Sequence, residues 1–257
     1  MEKFGRWQTM CRGCISSKLV STKCSISEFF GVKEHGIHIS FEGIKMSLLL
    51  RGFCLWACMF FGSQLVGEQI FEEGVHFKKL PVPVQTQNAD KIEVIEIFSY
   101  GCVHCYSFDP QIELWRSEQS DDVNFRRIPA VFSQSWEPLA RAFYAAQVLG
   151  VGEKVHMPIF TAIHQSGVNL QTAAQIARLF NSTAGVDEQE FISVFNSFGV
   201  RSQVQQAGAD SRMYRITGVP TLVVAGKYVV DGVMAGNNSR MLQVVDFLVQ
   251  QERVAAN

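Results

Sequence analysis

Ile92-Glu93-Val94-Ile95-Glu96-Ile97-Phe98 runs directly into Ser99-Tyr100-Gly101-Cys102-Val103-His104-Cys105-Tyr106, and the fold is read outward from this stretch. The first seven residues are β-branched and apolar enough to predict a buried strand. The pattern turns helical from Cys105-Tyr106-Ser107-Phe108 onward. Two cysteines three apart at the start of a helix can approach closely enough to form a disulfide. The first of them meets the unpaired N–H groups and the positive end of the helix dipole, which stabilise a thiolate. A thiolate is both the competent nucleophile and the good leaving group in disulfide exchange. Cys102 is therefore read as the attacking and attacked sulfur, and Cys105 as the resolving thiol. A plain structural disulfide, or half of a zinc site with His104, is the alternative.

Cysteine usage favours the first reading. Cys11, Cys14, Cys24, Cys54 and Cys58 precede the pair, and none follows from Tyr106 to Asn257. No second ligand pair stands at zinc-like spacing in the body, so no metal is expected. His104 has three readings: support for the Cys102 thiolate, a solvated spacer, or a ligand; the first is the expectation. Glu96 stands in an apolar strand six residues before Cys102. If buried, its pKa should be raised and it could relay a proton to or from Cys105; a solvent-facing edge position is the alternative.

Further along, Pro110 should kink or restart the helix after Cys105. Val123-Asn124-Phe125-Arg126-Arg127-Ile128-Pro129 alternates and predicts a second strand. A helical block follows from Trp136 to about Gln206, with helices expected over 138–149, 157–165, 169–181 and 187–196. Thr221-Leu222-Val223-Val224 and Tyr228-Val229-Val230 flank Ala225-Gly226-Lys227 as a hairpin. A last amphipathic helix is expected over 243–254. A helical insertion within one α/β domain explains this order, because the late strands complete the sheet begun by the early ones. Gly218-Val219-Pro220-Thr221 precedes the hairpin. By composition alone Pro220 would be trans; beside a CxxC the expectation becomes cis, with the Val219 backbone free to pair with an extended peptide.

The chain has 257 residues, is 47% hydrophobic and carries a formal net charge of −1. It can bury a substantial core, and no basic stripe supports nucleic-acid binding. Twenty Phe against five Tyr and four Trp indicate a Phe-rich core or an apolar groove for peptides. Met46-Ser47-Leu48-Leu49-Leu50-Arg51 followed by an apolar run to Phe61 has the shape of a secretory signal. It is too short for a span of about 20 apolar residues. Met46 is expected to be the true start, with 1–45 an upstream extension outside the mature protein. Cys11-Arg12-Gly13-Cys14 lacks a flanking strand and amphipathic helix, so no thiol exchange is assigned to it.

Glu96 through Tyr106, together with Thr217-Gly218-Val219-Pro220-Thr221 and the helical block between them, resembles the DsbA family of periplasmic thiol-disulfide oxidoreductases over roughly residues 69–257. The resemblance implies an α/β chain with a thioredoxin fold and an inserted all-helical domain. The expected layout is a signal peptide at 46–67, thioredoxin-like parts at 68–132 and 208–257, and a helical insertion at 133–207. The resemblance also implies donation of the Cys102–Cys105 disulfide to reduced, unfolded secreted proteins and reoxidation by a DsbB-like membrane quinone reductase. A monomer in the periplasm, without a cofactor, is expected. Cys102, Cys105, His104 and Glu96 would carry the chemistry, and Val219, Pro220 and Val103 would meet the substrate. One departure is plain: the family's usual Pro-His between the cysteines is Val103-His104 here, which leaves the strength of the oxidant open. The competing readings are a disulfide isomerase or reductase on the same fold, and a peptide-binding chaperone with a vestigial CxxC.

Overall fold

The computed structural model describes residues 71–256. The expected leader, the extension before it and the five early cysteines lie outside the described residues. A five-stranded sheet has the order β1-β5-β4-β2-β3. Its strands are β1 Lys78–Lys79, β2 Ile92–Phe98, β3 Val123–Pro129, β4 Thr221–Val224 and β5 Tyr228–Asp231. β2 and β3 are parallel, joined through helix α1 Val103–Glu118, while the other pairings are antiparallel. This is a thioredoxin-type sheet with an α/β crossover at the dithiol.

Between β3 and β4 come the helices α2 Glu137–Val148, α3 Gly152–His164, α4 Ala173–Ala184, α5 Glu188–Phe195 and α6 Phe198–Met213. The chain then closes with α7 Gly232–Ala235 and α8 Asn238–Ala256. One sheet face packs Val94, Leu222 and Val230 against Phe108, Ile112 and Trp115 of α1 and Val244 and Leu248 of α8. The other packs Ile95, Ile97 and Val223 against Ala207 of α6 and Tyr214. A third core, made by the helical block, buries Phe143, Phe160, Phe180, Phe191 and Phe195 and reaches Phe98 and Cys105. Much of the phenylalanine load thus lies in the interior.

Several elements differ from the sequence reading. α1 runs through Pro110. An interior proline costs about 3 kcal/mol, but Phe108 before it and Ile112 and Trp115 after it are all buried. Each such burial is worth about 1.5–3 kcal/mol, so the stripe outweighs the break. α3 begins at Gly152 rather than 157 because Val155 and His156, ahead of Pro158, are buried. α6 was not expected as a separate helix. Its buried stripe is Val200, Val204, Ala207 and Ser211, two of them small, and Gly199 and Gly208 weaken the signal further. It runs unbroken across the boundary expected at 207/208. α8 starts five residues ahead of the expected 243, and the two-residue β1 had no sequence signal at all.

In the β4–β5 hairpin, Ala225 and Gly226 both take positive φ, 52° and 63°. They are the central residues of a tight turn closed by the Lys227 N–H donating to the Val224 carbonyl at 2.9 Å. A Cβ on Gly226 would lie 2.0 Å from the Val84 carbonyl oxygen, so only glycine fits.

Candidate active site

β2 ends at Phe98 and the chain turns at once, with the Cys102 N–H donating to the Ser99 carbonyl at 3.0 Å. The Gly101 N–H donates to Ser99 Oγ at 3.1 Å. The turn delivers Cys102 to the N-cap of α1, with φ −102° and ψ 115°. Its Sγ accepts the Cys105 backbone N–H at 3.2 Å and lies 3.5 Å from the Val219 carbonyl oxygen. The Val219–Pro220 bond is cis. The loop before β4 is held by Thr221 Oγ1 donating to the Gly218 carbonyl at 2.8 Å.

The two sulfurs titrate in opposite directions. The Cys102 thiol is lowered from 9.0 to about 6, chiefly by the side-chain hydrogen bond from Cys105. Burial opposes this, while the Cys105 and His104 backbone groups and the His104 charge add to it. Cys105 is pushed far up, first by burial and then by its neighbour Cys102. A thiolate with a small edge of exposure beside a fully buried, protonated thiol is the arrangement that thiol exchange needs. Cys102 is 8% exposed and Cys105 only 1%. His104 is exposed and Val103, 54% exposed, stands beside the nucleophile.

Glu96 is buried and its pKa is raised, burial outweighing the attraction of Arg127. Arg127 Nε donates to Glu96 Oε2 at 2.7 Å, and its Nη2 meets Asp109 Oδ1 at 3.2 Å and Glu113 Oε1 at 2.6 Å. The parallel register sets Glu96 opposite Arg127, which brings this acid and base together on one face. Asp109 also accepts from His156 Nε2 at 2.8 Å. In the neutral tautomer that leaves His156 Nδ1 to accept from the Tyr100 hydroxyl at 2.8 Å. The Glu96 charge adds the smallest of the upward pushes on the Cys105 thiol.

Sequence reasoning missed Arg127, Asp109, Tyr100, His156, His164 and Trp136. Arg127 was within reach, because pairing the two quoted strands in parallel sets an arginine beside Glu96. His156 and His164 were not, since they come from the helical block. Trp136 was missed because it reaches the dithiol only through close packing. A Cβ on Gly101 would sit 2.5 Å from Trp136 Nε1, so the indole lies directly on the active-site turn. Gly101, Trp136, Leu139, Ile163, Val168 and Leu170 are among the residues lining a cavity of about 220 Å³ at the active-site turn. Phe132, 46% exposed, tilts against the same indole at 5.9 Å between centroids. Gly101→Ala should therefore displace Trp136 and destabilise the fold by about 1–3 kcal/mol, the usual cost of overpacking. Denaturant unfolding checks this; the loss should shrink in a Trp136→Leu background.

Among the described residues no group of three His, Cys, Asp or Glu side chains is placed to hold a metal. Among them, too, no helix is long and apolar enough to cross a membrane.

Comparison with known proteins gives one consistent set of relatives. The model of the DsbA-like thioredoxin domain matches residues 111–248, beginning just after the dithiol. The chain is 42% identical over 182 residues to a thiol:disulfide interchange protein DsbA from Azotobacter vinelandii, covering 71% of this chain and 85% of that one. It is 38% identical over 211 residues to a protein of the same name from Pseudomonas syringae, covering 82% and 98%. Among solved structures, Pseudomonas aeruginosa DsbA superposes with a TM-score of 0.69 at 38% identity, covering 72% of this chain and 96% of that one. An oxidoreductase DsbA from Xylella fastidiosa gives 0.68 at 37% identity, covering 72% and 98%.

Proposed function

This chain belongs to the DsbA-like thioredoxin-domain family, and from that premise we propose that it is a thiol-disulfide oxidoreductase that passes its Cys102–Cys105 disulfide to other proteins. The observation that carries the reading is Cys102 at the N-cap of α1, its Sγ accepting the Cys105 N–H at 3.2 Å and standing 3.5 Å from the Val219 carbonyl before the cis Pro220. A substrate thiolate attacks Cys102 Sγ; the Cys102–Cys105 bond breaks, Cys105 leaves as a thiolate and takes up a proton. A second substrate thiolate then attacks the substrate sulfur of the mixed disulfide and expels Cys102 as a thiolate. The substrate loses two electrons and the enzyme gains them. Stabilising that last thiolate drives the exchange toward oxidised substrate.

Glu96, buried, with a raised pKa and a charge that acts on the Cys105 thiol, is the group we assign to supply the proton Cys105 takes up. We assign the Val219 backbone and Pro220 to the substrate strand, because that carbonyl stands 3.5 Å from the reacting sulfur. Exposed Val103 next to Cys102, and Phe132 on the Trp136 indole that covers the Gly101 turn, put apolar side chains near the dithiol, which suits an unfolded protein. His104 favours the thiolate through its backbone and its charge. Such an oxidant works where thiols are not kept reduced, so we place it in the periplasm, acting as a monomer. Reoxidation there falls to a DsbB-like membrane quinone reductase.

The test is direct. The oxidised protein, mixed with a reduced unfolded protein, should form substrate disulfides stoichiometrically, and its glutathione equilibrium should favour oxidised glutathione. A thioredoxin-like reducing equilibrium would overturn the reading and make Val103 the reason. The same thiolate predicts a pH dependence. A depressed folded pKa stabilises the reduced fold fully above the unfolded value of 9.0, and that stability is lost as pH falls through about 6. Across that window the reduced form should gain on the oxidised form by up to about 1.4 kcal/mol per pH unit. Paired thermal melts of the two forms would show it; parallel curves from pH 6 to 9 would contradict it.

A further inference from the structure

α3 carries His156, Phe160 and His164 at four-residue spacing, which sets the three rings on one helix face. That face packs on Tyr100 and Tyr106, the two tyrosines that bracket the dithiol. The Phe160 ring lies 4.9 Å from Tyr100 and 5.9 Å from Tyr106 between centroids. His164 makes the two most directed contacts. Its Nε2–H donates to the Tyr100 carbonyl oxygen at 2.8 Å. Its ring stacks on Tyr106 at 5.3 Å with 14° between planes, and the neighbouring Gln165 amide donates to the Tyr106 hydroxyl.

We propose that His164 is a positioning residue for thiol exchange, holding the Cys102–Cys105 turn from both flanks, chiefly through its hydrogen bond to the Tyr100 carbonyl. The inference rests on the oxidoreductase reading above. The Cys102 sulfur receives the Cys105 N–H only while Cys102 keeps its N-cap geometry. That geometry is set by the Ser99–Cys102 turn, and the Tyr100 peptide is its middle. With the carbonyl drawn to α3, the peptide has one orientation. Without the donor it can rotate, and the alignment of the Cys105 N–H with the sulfur is lost. On the other flank, the Tyr106 N–H donates to the Cys102 carbonyl at 3.1 Å as the first helical bond. Stacking on His164 keeps that first turn in place. The effect reaches the sulfur through the backbone, so His164 itself touches no reacting atom.

Three variants of the whole protein test this. His164→Gln keeps an N–H donor near the Nε2 position but loses the ring. His164→Phe keeps a ring without a donor, and His164→Ala has neither. The readouts are the glutathione equilibrium, the Cys102 titration followed by thiolate absorbance, and the melting of both redox forms. His164→Phe and His164→Ala should make the protein less oxidising by roughly threefold to tenfold, the size of one hydrogen bond, and raise the Cys102 midpoint. His164→Gln should stay within about twofold of the parent. An unchanged equilibrium and midpoint in His164→Phe would overturn the proposal, even if both redox forms melt lower by the same amount. So would His164→Gln behaving like His164→Ala. If His164→Ala fails to fold, the Phe and Gln variants still decide. Failure of the parent to oxidise a substrate protein would sink the underlying reading instead, which keeps the two outcomes separate.

Discussion

Replacing Cys102 by serine should abolish disulfide donation, leaving the oxidation of a reduced substrate protein at the rate of the buffer alone. A hydroxyl forms no disulfide, and no other thiol among the described residues can take over, because Cys105 is only 1% exposed and its pKa is pushed up. Cys105→Ser should behave differently. Its Cys102 thiolate can still attack a disulfide, breaking that bond and expelling one substrate thiolate, so it should accumulate mixed disulfides that nothing resolves from within. Non-reducing electrophoresis with a disulfide-bearing substrate distinguishes the two: no adduct for Cys102→Ser, a persistent one for Cys105→Ser. The pair also separates oxidoreductase from chaperone. If Cys102→Ser still promotes recovery of a reduced, denatured protein, peptide binding rather than exchange is the activity.

Arg127→Met should cost about 3–5 kcal/mol of stability, the range for removing one partner of a buried ion pair. Arg127 is the cation shared by Glu96, Asp109 and Glu113, and its own side chain is only 7% exposed. Without it, Glu96 and Asp109 keep their burial and lose their nearest positive charge. The sign of the pH dependence follows. The Glu96 pKa, already raised above 4.5, should rise further in the variant. A group with a raised folded pKa leaves the fold intact below its unfolded value and weakens it as pH climbs through the folded one. The deficit should therefore be larger at pH 7 than at pH 4, and Glu96→Gln in the same background should restore part of it. Urea unfolding at the two pH values measures this. A loss under about 1 kcal/mol at pH 7 would show that the cluster does not anchor the sheet.

What the sequence revealed about this site was its local part. β2 is legible because a run of β-branched and apolar residues has few other ways to bury itself, and β3 because its residues alternate. The N-terminus of α1 is legible because it carries the dithiol. Pro220 and the hairpin after it stand out for the same local reasons. The hidden part is what the chain brings together from a distance. Glu96 declares an oddity, but Arg127 becomes its partner only through parallel register. His156 and His164 read as ordinary helix residues until α3 is laid across Tyr100 and Tyr106. α6 escaped notice because Ala207 and Ser211 pack by being small, which leaves little periodic hydrophobicity to detect.

α6 also settles how far the helical block can be treated as a detachable module. Its Val200 belongs to the core of the helical block, while Ala207, two turns later on the same rod, lies in the core beneath the sheet. A graft or deletion cut between 207 and 208 would sever that rod and open both interiors at once. Anyone recombining this chain with a relative should place the downstream crossover beyond Met213, in the segment leading to Gly218, so that α6 passes whole from one parent.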